Sequence, residues 1–239
     1  MGLEVYIITA IVGFIAAFLS GSTAVGGAAL MTAVLTICLG GEYAVPVLTI
    51  VMLISNLTRA GLGIHEIDWK SVKLFLITSL PLSLLGALGF TLLPKAVVNK
   101  VLGISVIIFV ILRFLKFRQA VVGKKAILLF GFISGFLSGF VGSSGPISAA
   151  LFFSLGLSPV GYVASEAVAV SVIHIGKIIV YGSLMNIEWK LWIFAIAIGC
   201  IMMLGTFLAK KFIGKFKVES FDMYVSVAML LMGIYMVVS

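Results

Sequence analysis

Charge is what this 239-residue chain has least of. Asp, Glu, Lys and Arg together make up 10% of it, where about 25% is ordinary for a soluble domain. Apolar residues reach 62% and the mean hydropathy is +1.32. So few polar side chains cannot cover a water-facing surface, and a chain this short cannot hide the excess in a larger core. A soluble fold is excluded, and a polytopic membrane protein is what remains. Histidine is scarce too, with His65 and His174 the only two. With no nucleophile–base pair, metal cluster or nucleotide motif, nothing supports an enzyme, and no cofactor or metal is expected. Cys38 and Cys200 lie in separate apolar stretches without CxxC or Cys/His spacing. That excludes a disulfide framework and a zinc site, and both read as buried small hydrophobes. The opening MGLEVYIITAIVGF has no basic leader or A-x-A site, so the first apolar segment reads as retained. Tyr6 in the sixth position argues against N-myristoylation.

Acids are scarcer than bases, 8 against 16, for a net charge of +8. In a soluble chain this would suggest nucleic acid; in a membrane protein it reports loops on the cytoplasmic face, and no nucleic acid partner is expected. A span needs about 20 mostly apolar residues. Apolar segments fall at 5–20, 24–39, 43–63, 71–93, 97–115, 126–140, 143–157, 160–181, 190–208 and 221–238. The first two are short and separated only by SGSTAVGG; the sixth and seventh are short and separated by SGFVGSSGP. Each pair is either two short spans or a re-entrant hairpin. With the N-terminus outside, Lys70 and Lys73, the cluster Arg113, Lys116, Arg118, Lys124 and Lys125, and Lys210, Lys211, Lys215 and Lys217 all fall inside. Eleven of the sixteen cations then satisfy the positive-inside rule, which places both termini outside the cytoplasmic membrane.

The chain repeats itself. GFIAAFLSG (13–21) returns as GFISGFLSG (131–139), and IDWK (67–70) returns as IEWK (187–190), in the same order. Duplication divides the chain into a first membrane repeat over 1–118, a basic cytoplasmic linker at 119–125 and a second repeat over 126–239. Each half holds five segments, or three full crossings if its short pair re-enters. Both numbers are odd, so the halves must lie in the membrane with opposite orientation. The expected fold is therefore an all-α polytopic membrane protein of two inverted-topology repeats, with about eight to ten helical segments. In transporters of this architecture the site lies at the repeat interface near the bilayer midplane. A duplicated scaffold without transport activity is the plain alternative.

The third segment of each half carries a cation deep in apolar sequence: Asn56 and Arg59 in one, His174 and Lys177 in the other. The repeat superposes the two pairs, and the i, i+3 spacing puts both members on one helix face. A charge at bilayer depth costs on the order of 2.5–3.5 kcal/mol, so such residues usually face an interior site. Snorkelling to the interface is the alternative, stronger for Arg59 than for Lys177. The turns from Ser20 to Gly27 and from Ser138 to Pro146 each open an apolar helix. A helix N-terminus offers unpaired N–H groups to an oxyanion, and glycine lets the backbone approach it. Gly26, Gly27, Ser143, Ser144 and Gly145 are the candidates there, with close helix packing through small residues as the alternative. Glu166 has no acidic counterpart in the first half, where Leu48 stands. It could pair with Lys177, titrate with His174 in proton coupling, or cap its helix near the cytoplasmic interface, and the cap is the preferred reading.

At these residues the sequence resembles the TauE/SafE family of sulfite exporter-like membrane transporters over essentially its whole length. The resemblance rests on the two related halves, the Gly-rich turn early in each, and the aromatic-marked loops at Asp68-Trp69 and Glu188-Trp189. The chain departs from the family's fuller G-x-G-G-G form at Ala24-Val25-Gly26-Gly27-Ala28 and at Gly142-Ser143-Ser144-Gly145-Pro146. The resemblance implies movement of sulfite or an organosulfonate across the cytoplasmic membrane, usually outward. The expected protein is thus a secondary transporter of a small anion by alternating access, with a passive anion channel as the rival. Its partners would be that anion and the lipid bilayer, with homo-oligomerisation open.

Overall fold

In a bilayer no water satisfies backbone N–H and C=O groups, so an apolar segment must satisfy its own, and the α-helix does this. The computed structural model describes residues 2–23, 27–114, 123–212 and 219–238. These residues form ten α-helices and no strand: α1 (Leu3–Thr23), α2 (Gly27–Leu39), α3 (Gly41–Leu62), α4 (Trp69–Thr91), α5 (Lys95–Phe114), α6 (Lys124–Val141), α7 (Gly145–Ser154), α8 (Pro159–Leu184), α9 (Trp189–Phe212) and α10 (Glu219–Val238). A single 3-10 turn, Ile64–Glu66, precedes α4. Each of the ten apolar segments read from the sequence falls on one helix. Lys124 and Lys125 open α6, and residues 115–122, which include most of the expected linker, lie outside the described residues.

Among the described residues, six helices (α3, α4, α5, α6, α8 and α9) are long and apolar enough to cross a membrane. In the two short pairs the second helix is too short to cross: α2 has 13 residues and α7 has 10. At 1.5 Å per residue they reach about 20 and 15 Å, against a hydrocarbon core of roughly 30 Å. The chain is a multi-pass membrane protein, and its surface shows it. Ile77, Leu85, Ile111, Ile179 and Leu204 are all exposed. The central helices are α3 and α8, with 67% and 61% of their apolar windows buried against 33–39% for the other four. Cys200 is exposed and Cys38 half-buried, so neither is the buried hydrophobe the sequence suggested.

Small residues decide which helices touch. Gly131, Gly135 and Gly139 form a stripe at i, i+4 and i+8 along α6, and a Cβ on Gly135 or Gly139 would collide with the α4 backbone at Ser79 or Ser83. Gly86 of α4 meets the α6 backbone at Phe136 and Phe140 in the same way. The α1–α9 contact has the same character, with Gly205 against the Phe14 carbonyl and Ala17, and Gly13 against Ile198 and Met202. The repeated GFI…FLSG landmark is therefore a packing surface. The first helix of each half leans on the fourth helix of the other, while α3 packs on α9 and α8 on α4.

The two central helices run antiparallel. Gly63, ending α3, abuts Val160 and Ala164 at the start of α8, while Glu42 and Tyr43 at the other end of α3 share a cavity with Met185 and Asn186. The IDWK and IEWK landmarks open α4 and α9. Asp68 caps α4 by accepting from the backbone N–H of Lys70 and Ser71, which satisfies orphan donors of its first turn.

Candidate functional site

Polar side chains are rare enough in this chain that their burial must be matched by partners or a ligand. Asn56, Arg59, Glu166, His174 and Lys177 are all at most 5% exposed, and all lie on α3 or α8. Arg59 and Lys177 do not snorkel. Glu166 sits in the interior of α8, whose N-cap is Ser158 accepting from Gly161 N–H, so the expected capping role for Glu166 is wrong. Its carboxylate instead faces Arg59 across the α3–α8 contact, with Nη1 3.7 Å from Oε2. The expected pairing of Glu166 with Lys177 is not seen. The Ser148 hydroxyl of α7 donates to the other oxygen, Oε1, at 2.8 Å.

Arg59 is spread over several acceptors. Nη1 also donates to the Ser20 carbonyl near the end of α1, at 3.4 Å, and Nη2 donates to Asn56 Oδ1. Lys177 makes the equivalent reach in the second half. Its ammonium donates to the Ser138 carbonyl at 2.8 Å and to the Gly142 carbonyl at 3.1 Å. Serine carbonyls thirty-nine positions earlier thus receive both cations. These are end-of-helix acceptors, where a cation opposes the negative pole of the helix. Tyr181 ties the same stretch of α6 by donating to the Gly139 carbonyl at 2.7 Å.

One interior cavity of about 20 Å³ joins most of the expected residues. Asn56, Arg59, His174, Gly27, Ser143, Ser144, Gly145 and Glu166 all line it, with Ser20, Ser138 and the first residues of α2 and α7. Gly26 lies outside the described residues. Lys177 does not line the cavity; it holds Ser138 and Gly142, which do. Two short helices therefore present their N-termini to one space, and Pro146 fits the first turn of α7 because it has no N–H to leave unpaired. Ser134 orients this turn by donating to Ser144 Oγ at 2.7 Å.

The cavity is lined by unspent hydrogen-bonding capacity. Among the described residues, Arg59 Nε, Asn56 Nδ2, His174 Nδ1 and Glu166 Oε2 have no hydrogen-bond partner, and all four residues face this space. Buried polar atoms without partners are uncommon and costly, about 1–3 kcal/mol each. Ser148 and Ser134 are polar neighbours of the cavity lining that sequence reasoning missed, since a hydroxyl in an apolar helix carries no signal of its own.

The division between the two cations makes a prediction. Lys177→Met should lower stability by about 1–3 kcal/mol, through the carbonyls it leaves unpaired. Thermal unfolding in nanodiscs reads the loss, and unchanged stability would show that these hydrogen bonds are not needed to hold the turn between α6 and α7.

The two ends of the α3–α8 contact differ. At one end Ser158 Oγ donates to the Glu66 carboxylate and Asp68 N–H donates to Ser165 Oγ at 2.9 Å, closing it. At the other a wider cavity of about 240 Å³ lies between Glu42, Lys95 and Asn186. Phe90 lines that cavity and packs edge-on against Tyr181, with ring centroids 5.8 Å apart.

Ten helices among the described residues, six of them long and apolar enough to span, around a charged interior cavity define a multi-pass membrane protein. The family model described as Sulfite exporter TauE/SafE matches residues 9–236, and the chain belongs to that family. This is a family of membrane transporters, not of enzymes. No curated protein and no solved structure matches the chain.

Proposed function

We propose that this chain is a secondary transporter of a small oxyanion, sulfite or an organosulfonate, which it exports across the cytoplasmic membrane by alternating access. The observation that carries the reading is the cavity itself. Two helix N-termini, the Arg59 guanidinium and the unspent donor of Asn56 converge on one buried space. Such a space attracts negative charge and offers directional N–H groups to several oxygens at once. His174 supplies a further hydrogen bond, and Lys177 acts behind the lining by holding the α6–α7 turn. Two features support an inverted duplication as the frame: the crossed α1–α9 and α6–α4 contacts, and the antiparallel run of α3 and α8. The distribution of lysine and arginine favours both termini outside.

The size of the cavity favours a carrier over a channel. About 20 Å³ accommodates little more than one water. An anion can occupy it only if the lining moves, whereas a conducting pore needs a continuous path.

The test is uptake of sulfite, sulfate, methanesulfonate and acetate into proteoliposomes, with and without a pH gradient. Sulfur oxyanions should be preferred, and flux should respond to the gradient. Arg59→Met should reduce uptake by about 100-fold, the ~2.7 kcal/mol expected of charge-assisted bonds to a buried anion. Equal uptake by the Arg59→Met protein would remove the site.

A further inference from the structure

We infer that Glu166 is a tethered counter-anion that competes with the transported oxyanion for Arg59, so that binding the anion transfers a proton from solvent to the Glu166 carboxylate. The inference rests on the anion-transport reading of the cavity and goes beyond it by naming what the anion must displace.

The geometry is that of a loosely held substitute. Arg59 Nη1 lies 3.7 Å from Glu166 Oε2, beyond hydrogen-bonding distance, and Oε2 has no hydrogen-bond partner among the described residues. The other oxygen, Oε1, is anchored by Ser148 at 2.8 Å. Arg59 Nε is also unpartnered. An oxyanion entering this cavity would find the guanidinium half-committed to a carboxylate that lines the same space. Two anions cannot share one buried guanidinium without a large repulsion. A carboxylate that loses its cation in a dry site costs several kcal/mol unless it neutralises.

The balance is simple for a monovalent anion. Before binding, Arg59 and the Glu166 carboxylate cancel. On binding, the anion takes the place opposite Arg59, one proton from solvent forms an O–H bond at Glu166 Oε2, and the net charge of the site is unchanged. No covalent bond of the ligand is made or broken. Ser148 keeps its hydrogen bond to Oε1 throughout, which leaves Oε2 as the oxygen free to accept the proton.

Among the described residues, His174 is the one other group of the cavity that could take this part. Arg59 is the charged side chain brought by α3, and α7 brings only the Ser148 hydroxyl. At the start of α4, Lys70 and Lys73 are exposed. Glu66 and Asp68, ahead of α4, are engaged by Ser158 and Ser71. On α8 itself stand Tyr162, His174 and Lys177; Lys177 is engaged by the Ser138 and Gly142 carbonyls, while His174 lines the cavity and must be controlled for.

The experiment is calorimetric titration of the whole protein in nanodiscs with methanesulfonate, whose own charge is constant across the physiological range. Two buffers of different ionisation enthalpy count the protons. We expect one proton taken up per anion bound. Affinity should fall by up to about tenfold per pH unit as the pH rises, the slope linkage sets for one proton. In Glu166→Gln both the uptake and the slope should vanish, while His174→Gln should keep them. Binding that requires Arg59 but takes up no proton in the wild-type protein overturns this inference and leaves the anion site standing. So does a slope lost in His174→Gln and kept in Glu166→Gln. Methanesulfonate binding that is unchanged in Arg59→Met overturns the anion site, and the inference with it. Where Glu166→Gln yields no folded protein, the wild-type proton count read beside that of His174→Gln decides the matter: a proton still taken up in His174→Gln supports Glu166, and one lost there overturns it.

Discussion

Arg59→Met should be the most damaging single substitution in the cavity, and adding Glu166→Gln should repair the fold without repairing transport. The first change leaves the Glu166 carboxylate buried at 2% exposure with no cation in contact. Removing one partner of a buried pair typically costs about 3–5 kcal/mol, whereas removing both is often nearly neutral. The double variant should therefore recover to within about 1 kcal/mol of the wild type, less whatever the loss of the Asn56 and Ser20 contacts contributes. Anion uptake should stay at background in both, because neither has a guanidinium in the cavity. Unfolding midpoints in nanodiscs, read beside proteoliposome flux, separate the two effects. Stability that fails to recover in the double variant would mean that Arg59 supports the fold through Ser20 and Asn56 instead.

The second large effect lies away from the cavity. Gly135→Leu should prevent assembly of the protein, because even a Cβ at Gly135 would overlap the α4 backbone at Ser79. Backbone cannot rotate away as a side chain can, so the α4–α6 contact must open along its length. Overpacking a rigid interior costs typically about 1–3 kcal/mol for a few methylenes, and this contact offers no slack to absorb it. Gly61, with nothing near its missing Cβ, is the matched control, and Gly61→Ala should be tolerated. The yield of monodisperse protein from membranes checks both, and wild-type yield from Gly135→Leu would show that the close contact is not required.

Sequence made the helices legible because apolar runs in this chain are broken only where a turn must occur. The cations were legible for the same reason, since a charge inside such a run has few explanations. Where each side chain ends was not legible. Arg59 and Lys177 match in spacing and type, yet one lines the cavity and the other is spent on the turn between α6 and α7. That difference depends on which flank of the helix each head group leaves by. Glu166 read as a cap because its contact, Arg59, is remote in sequence. Ser148, which anchors it, is one hydroxyl among apolar neighbours.

The crossed packing has a mechanical consequence. In the alternating access proposed above, the chain halves would not be the moving bodies, because each holds a helix of the other in backbone contact. α1 and α3 pack on α9 and hold α2 between them, and α6 and α8 pack on α4 and hold α7, so each group would move as one block. The surface along which such composite blocks can slide without parting those contacts is the α3–α8 seam. Arg59 and Glu166 face each other across that seam, so the bond an arriving anion would break is also a clasp between the two blocks.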